Sequence, residues 1–549
     1  MAKKKMRKNS FVEGAFIAYI AIIATKILGA LYNIPFYNII GDEGGVIYSY
    51  AYSIYVLFLE LSTSGVPIAI SIVISEYNSL GKYLTKEKAY KLGLKFVVAI
   101  SFVAFALLQI FAEPIGHFFI GEMTGGVTIA EVASAIRAVS CCLLVVPFLS
   151  MKRGYFNGHK FIGPSSNSQV IEQFVRIVFV LAGSYVAIYI LNLGLTTGVC
   201  VALFGAALGA MAAQMYLLYK ASTNKEAFEH GECLEIEAES TKIILRKIFS
   251  YCLTIALVST TMNIYCIVDL KMLLTGLSNI GMDDATVQLI SSIYATWTPK
   301  ITMIIYALAL GLTNSIGPHI AESYAAGDMK MVNKKINLSM MTILTITIPM
   351  AAGIIIFAAP VYRVFYGNSI YGTNILMTFV FVEVIASLTT VVNMAQQSMN
   401  RGKNATLNTI IGVVVNASLD IPLIYLFHNI GIPAYLGAVA SSIIGQSVSL
   451  TLSLTSLKRS LNFKYFDVFK VFAKILPATL AMVVVVVLAK FIMPVTEARN
   501  AVLIIQLAIF GLIGCLVYFT ITYKNGVLSQ VLGEEMVDKI MTKLKLKRI

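Results

Sequence analysis

Charge is scarce in this sequence. Asp, Glu, Lys and Arg make up 13% of its 549 residues, where a water-soluble chain carries about a quarter. With 58% hydrophobic residues and a mean hydropathy of +0.80, that scarcity excludes a string of water-facing domains. The seven cysteines include the adjacent Cys141 and Cys142, with the rest scattered through apolar stretches. No CxxC or Cys/His spacing occurs, which argues against a disulfide framework or a structural zinc site. None of His117, His159, His230, His319 and His428 has metal-ligand spacing, and there is no phosphate-cradling P-loop. A membrane glycosyltransferase or polymerase would need acids or histidines clustered in a substantial outer loop, and the outer loops are short.

What is present is apolar run after apolar run of about 20 residues or more, each long enough to cross a bilayer of about 30 Å. The chain therefore reads as an all-α polytopic membrane protein with about 14 transmembrane helices. They are expected near 11–34, 46–75, 90–113, 128–151, 165–190, 196–220, 248–275, 286–318, 336–359, 373–398, 406–428, 434–456, 470–493 and 499–523. The apolar run after Met1–Lys8 is too long for a cleaved signal and reads as a retained first helix. The formal charge of +14 sits in short loops rather than on one face, which points to a bilayer and no nucleic acid. Lysines and arginines crowd the N-terminus, residues 82–95, 152–160 and 242–247, Lys330 to Lys335, Arg401, Lys403, Lys458 to Lys464 and the C-terminal tail. With fourteen crossings all of these share one side, opposite Asp42, Glu43, Glu122, Asp283 and Asp284, so both termini are expected in the cytoplasm.

The chain also repeats itself. Ile47 to Gly121, displaced by 246 positions without a gap, falls on Ile293 to Gly367. Tyr48 meets Tyr294, Gly65 meets Gly311, Glu76 meets Glu322, Gly81 meets Gly327 and Lys88 meets Lys334. Phe111-Ala112-Glu113-Pro114 meets Phe357-Ala358-Ala359-Pro360, and Gly121 meets Gly367. Turn formers and a carboxylate recur here, which a shared apolar bias cannot supply. The expected organisation is two pseudo-symmetric six-helix lobes, 1–220 and 248–456, joined by a polar cytoplasmic linker, 221–247. An even number of crossings makes the repeat parallel. Residues 457–549 add two helices and a basic tail.

Charges deep in apolar runs cost a few kcal/mol on insertion scales, so each is expected to face protein or water. Lys26 lies mid-helix in the first span, too far from either surface to snorkel, and reads as a cavity cation. Glu60 and Lys300 lie at similar depths of the two copies and are expected to pair, structurally or as a gate. Glu172 and Arg176 have the favourable i, i+4 order for an intrahelical pair, which is either structural or part of a binding site. Asp269, Glu383, Arg137 and Asp420 are further candidates, Asp269 being close enough to an outer helix end to be solvated. Glu76 and Glu322, the repeated acids, stand at inner helix ends as structural or gating groups. Gly205-xxx-Gly209 allows close helix packing.

Thr25-Lys26-Ile27-Leu28-Gly29, Gly41, and Ser64-Gly65-Val66-Pro67 leading to Ser75-Glu76-Tyr77 resemble the MurJ-type lipid II flippases. These belong to the multidrug/oligosaccharidyl-lipid/polysaccharide (MOP) exporter superfamily. The likeness is nearest to the polysaccharide-biosynthesis branch that includes the stage V sporulation protein B relatives. Met399 to Lys403 and Ile264 to Leu270 also suit that branch. The resemblance implies a transporter of the bacterial cytoplasmic membrane, not an enzyme, that moves an undecaprenyl-pyrophosphate-linked precursor to the outer leaflet. It implies no cofactor, a membrane potential or ion gradient as driving force, and contact with cell-wall synthesis machinery. Substrate binding would fall to Lys26, Lys300 and Arg176. Gating or ion coupling would fall to Glu60, Glu172, Asp269, Asp420, Glu76 and Glu322. Tyr32 stands where many such flippases carry a second arginine. The rival readings are a flippase for capsule, teichoic-acid or spore-wall precursors and a cation-coupled multidrug antiporter.

Overall fold

The duplicated stretch folds twice with the same punctuation in the computed structural model. One copy runs α2 (Gly65–Ser79), α3 (Tyr83–Ile110) and α4 (Ala112–Ile120). The other runs α11 (Thr298–Ala325), α12 (Met329–Ile356) and α13 (Ala358–Tyr366). The helix limits of α3 and α4 recur at the 246-residue displacement in α12 and α13. So do the left-handed glycines: Gly81 at φ 70 with Gly327 at φ 74, and Gly121 at φ 62 with Gly367 at φ 88. Only glycine adopts that backbone without strain, which is why these positions survived while their neighbours diverged. The short helices α4 and α13 were not anticipated. Each starts beside a proline in its first turn, where a missing N–H breaks no intrahelical bond.

The structure describes residues 21, 24–26, 28–63, 65–228, 237–399, 401–461, 463–499, 501–532 and 534, with backbone alone for 60–63, 65–68, 251–262 and some others. Residues 24–26 and 28–31 are helical and lead into α1 (Asn33–Thr63), which is interrupted at Gly41. The first span thus continues past the expected end at 34. After α4 come α5 (Ile129–Ser140), α6 (Val146–Gly158), α7 (Ile162–Val178), α8 (Leu195–Thr223), α9 (Thr241–Asn279) and α10 (Asp284–Ser292). After α13 come α14 (Ile370–Ser398), α15 (Gly402–Asn429), α16 (Leu436–Leu461), α17 (Phe466–Ile492), α18 (Ala501–Lys524) and α19 (Val527–Leu532). Polar caps start several of these: Thr128 and Glu131 form a capping box on α5, and Asp283, Asp328 and Ser369 accept from the first turns of α10, α12 and α14. Among the described residues, ten helical stretches are long and apolar enough to cross a membrane. The other four expected spans fall on stretches only partly described.

The chain divides into two compact units, Met1–Trp297 and Thr298–Ile549. Residues 248–297, grouped by sequence with the second lobe, pack with the first unit. Ile244 and Ile248 of α9 are buried with Ile70, Val73, Ile74 and Tyr77 of α2 and with Ala89 and Val97 of α3. The polar linker is anchored there as well. Glu239 accepts from Tyr77 Oη at 2.9 Å and Lys82 Nζ at 2.6 Å, its carbonyl accepts from Lys88 Nζ at 2.7 Å, and its N–H donates to Thr85 Oγ1 at 2.9 Å.

In the second unit, α17 and α18 pack on α12 through a shared core that includes Ile343, Val471, Ile475, Met482 and Phe510. Pro349 inside α12 has no N–H, so the carbonyl of Thr345 loses its helical partner. Tyr518 of α18 donates its hydroxyl to that carbonyl at 2.7 Å. In an apolar surround, such a side chain is what lets a membrane helix keep an internal proline. Tyr518→Phe is expected to destabilise the protein by about 1–3 kcal/mol, the cost of a buried carbonyl left unmatched. A lowered unfolding midpoint in detergent is the readout, and an unchanged midpoint would refute the assignment.

Candidate functional site

The first unit concentrates its deep charges on α6 and α7. Glu172 accepts from Arg176 Nη2 at 3.1 Å and pairs with Arg153 Nη2 at 2.8 Å. Arg153 Nε also donates to Ser168 Oγ at 2.8 Å, and that hydroxyl donates onward to the Ser165 carbonyl at 2.6 Å. All three charged side chains are at most 24% exposed. Two guanidiniums share one carboxylate, so the cluster keeps a net positive charge. Arg176 Nε is buried with no hydrogen-bond partner among the described residues. Two planar cations against one carboxylate leave a surplus of positive charge that an anion can meet.

Glycines set how closely these helices approach. A Cβ on Gly209 of α8 would lie 2.6 Å from the Glu172 carbonyl oxygen and 3.2 Å from Arg176 Cβ, and one on Gly205 would lie 3.5 Å from the Arg176 carbonyl oxygen. The Gly205-xxx-Gly209 spacing therefore is a packing seam, directly behind the charged cluster. On the other side, a Cβ on Gly29 would lie 3.3 Å from Gln173 Nε2. Asn33 completes that face of the first helix by donating to the Gly29 carbonyl at 2.7 Å.

Aromatic hydroxyls from α1 and the residue before it surround the cations. Tyr32 and Tyr48 lie close to each other, and Arg176 lies within electrostatic reach of Tyr32, Tyr52 and Tyr55. Tyr48 and Tyr52 stack at 5.4 Å. Lys26 shares the Gly29–Asn33 face, one turn toward the N-terminus, and is exposed. It is thus neither sealed among apolar chains nor part of the buried cluster itself.

The other predicted residues separate. Glu60 lies where only backbone is described, so its pairing with Lys300 falls outside the described side chains. Lys300 is half-buried near the start of α11. Asp269, expected near solvent, is only 3% exposed and accepts from Tyr294 Oη at 2.7 Å. It lies on α9, and the helical turn Ile293–Trp297 that follows α10 brings the Tyr294 hydroxyl onto it. Asp420 is fully buried and accepts from Ser441 Oγ across the α15–α16 crossing. Glu383 of α14 accepts from Thr302 of α11 at 3.0 Å. The repeated acids part company: Glu76 is half-buried, whereas Glu322 is exposed with His319 at 3.7 Å. Arg137 reaches Glu113 at 3.0 Å, both largely exposed. Arg153 was missed because it was counted among the basic residues of the 152–160 loop, whereas α6 continues to Gly158. The signal was the run of serines at 165, 166 and 168, an unusual investment of hydroxyls in an apolar chain.

With this geometry in place, known proteins supply the family. Residues 11–293 match the family described as polysaccharide biosynthesis protein, and residues 295–421 match MatE. The lipid II flippase MurJ of Bacillus subtilis (strain 168) is 32% identical over 547 residues, covering 96% of this chain and 98% of the relative. The chain belongs to the MurJ-type flippases of the MOP superfamily. Stage V sporulation protein B of the same organism is 22% identical, covering 75% of this chain and 78% of that one. Among solved structures, a lipid II flippase MurJ in an inward closed conformation has a TM-score of 0.66 at 17% identity, covering 94% of this chain and 99% of that one. A MATE family multidrug transporter in an inward-facing conformation has a TM-score of 0.62 at 14% identity, covering 80% of this chain and 99% of that one. The chain is a multi-pass membrane transporter rather than an enzyme.

Gly209→Leu is expected to push α7 away from α8 and destabilise the protein by about 1–3 kcal/mol, the usual range for overpacking. Thermal unfolding of the purified variant tests this. A midpoint equal to that of the parent would show that the seam tolerates bulk.

Proposed function

We propose that this member of the family carries lipid II, or a closely related polyprenyl-pyrophosphate-linked glycan, from the inner to the outer leaflet by alternating access. The observation that carries the reading is the buried Arg153–Glu172–Arg176 cluster, net positive, in a chain 32% identical to a lipid II flippase across nearly all of both sequences. In this reading Arg176 binds the pyrophosphate, and Lys26 meets the head group on the exposed part of the same face. Tyr32 replaces an arginine that the resemblance leads one to expect, and Arg176, from a different helix, brings a guanidinium within electrostatic reach of that position.

The polyprenyl tail would lie in an apolar groove of about 520 Å³ in the second unit, lined by Pro349, Gly353, Phe357, Met482, Phe510 and Tyr518. Both termini would be cytoplasmic, and an inside-negative membrane potential would drive an anionic head group outward at about 2.3 kcal/mol per charge per 100 mV. Asp420, a carboxyl buried between α15 and α16, is the proposed ion-coupling group. Cell-wall synthesis enzymes that use the exported precursor are the proposed partners.

Arg176→Ala and Lys26→Ala are each expected to abolish rescue of a flippase-depleted strain while accumulating normally in the membrane. Lipid II should then remain inaccessible from outside in a leaflet-accessibility assay, and Arg176→Lys should recover part of the activity. Normal growth and normal accessibility with both alanine variants would sink the proposed site.

A further inference from the structure

A second basic site lies in the first unit, apart from the charged cluster. The ends of α3, α6 and α8 enclose an open concavity of about 660 Å³, lined by Glu87, Tyr90, Lys152, Tyr155, Lys225 and Phe228 among others. The Lys152 ammonium stands 5.8 Å from the Tyr90 ring centre and 5.4 Å from that of Tyr155. No carboxylate lies within ion-pairing distance of Lys152 or Lys225 among the described residues. Glu87 is held by the Tyr155 hydroxyl at 3.0 Å and lies within electrostatic reach of Lys152 without forming an ion pair with it. Phe228 stacks on Tyr155 with ring centres 5.6 Å apart and contacts Phe156, His159 and Phe161, which fixes the floor of the hollow.

We propose that this hollow binds a phosphate-bearing anion between Lys152 and Lys225, with the aromatic rings as its apolar wall. Two lysines against one engaged carboxylate leave the opening net positive. Cation–π contact holds Lys152 in place without supplying a counter-charge. Aromatic rings beside lysines at the ends of membrane helices match an interfacial phosphate, polar on one side and apolar on the other. The chemistry fits the head group of an anionic phospholipid and also a free phosphate.

The test uses the full-length protein in lipid nanodiscs, comparing phosphatidylglycerol with phosphatidylcholine, and separately inorganic phosphate added to the phosphatidylcholine discs. The expected result is a rise of several degrees in the unfolding midpoint with phosphatidylglycerol. Lys152→Ala/Lys225→Ala should abolish the rise, and Lys152→Arg should retain it. A rise with inorganic phosphate that is lost in the same double variant supports the site with a soluble ligand. Lys225 is exposed, and its backbone carbonyl, which accepts from the Phe228 N–H at 2.9 Å, is unaffected by truncating the side chain, so Lys225→Ala alone keeps the fold and should weaken the response. An identical rise in the double variant, or no response to either probe, overturns the proposal.

Discussion

A charge carried into an apolar bundle has to meet an opposite charge, a hydrogen-bond donor or water, because the bilayer supplies none of them. Much of the interior follows from that constraint. Glu172 is stabilised by two arginines, Asp269 by a tyrosine, Glu383 by a threonine and Asp420 by a serine. Three of these carboxyls are met by neutral hydroxyls. The fourth is outnumbered by cations, which leaves a surplus of positive charge beside it. Among these four carboxyls, Glu172 is the one whose pairing is unequal.

Unequal pairing has to be held in place, and small residues do this. Gly205 and Gly209 bring the α8 backbone against the very turn of α7 that carries Glu172 and Arg176. Gly29 brings the first helix against Gln173, the residue between them in sequence. A guanidinium so confined loses little further freedom when it binds a phosphate. The same rigidity makes the arrangement sensitive to a single methyl group placed at Gly209.

The repeat, the helical class and the apolar crossings were legible because each is written in periodicity or in residues with special backbones. Gly81, Gly121, Gly327 and Gly367 announce their turns through a conformation other residues avoid. Individual charges were less legible. Lys26, Glu172 and Arg176 stood out by their depth in apolar runs, but Arg153 is disguised by its basic neighbours. Its burial depends on α6 continuing one turn beyond the apolar stretch. Asp269 looked solvated because its partner Tyr294 comes from the helical turn after α10, a contact that hydropathy does not report. Sequence reports what a residue costs in lipid; which partner relieves that cost is a tertiary fact.

The duplication explains why only one unit carries the cationic cluster. Aligning the starts of α7 and α15, Ile162 and Gly402, places Gly205 on Gly445, Arg176 on Asn416, Glu172 on Gly412 and Arg153 on Asn393. The packing supports that register. A Cβ on Gly205 falls 3.5 Å from the Arg176 carbonyl oxygen, and one on Gly445 falls 2.7 Å from Asn416 Cβ. The two crossings share one geometry, but amides occupy the arginine positions in the second. Asn393 there accepts from Ser453, and Asn416 donates to Ser442. One turn beyond Asn416 stands Asp420, where this register gives the first unit Val180. One ancestral helix crossing has thus diverged in sign, basic in one copy and acidic in the other.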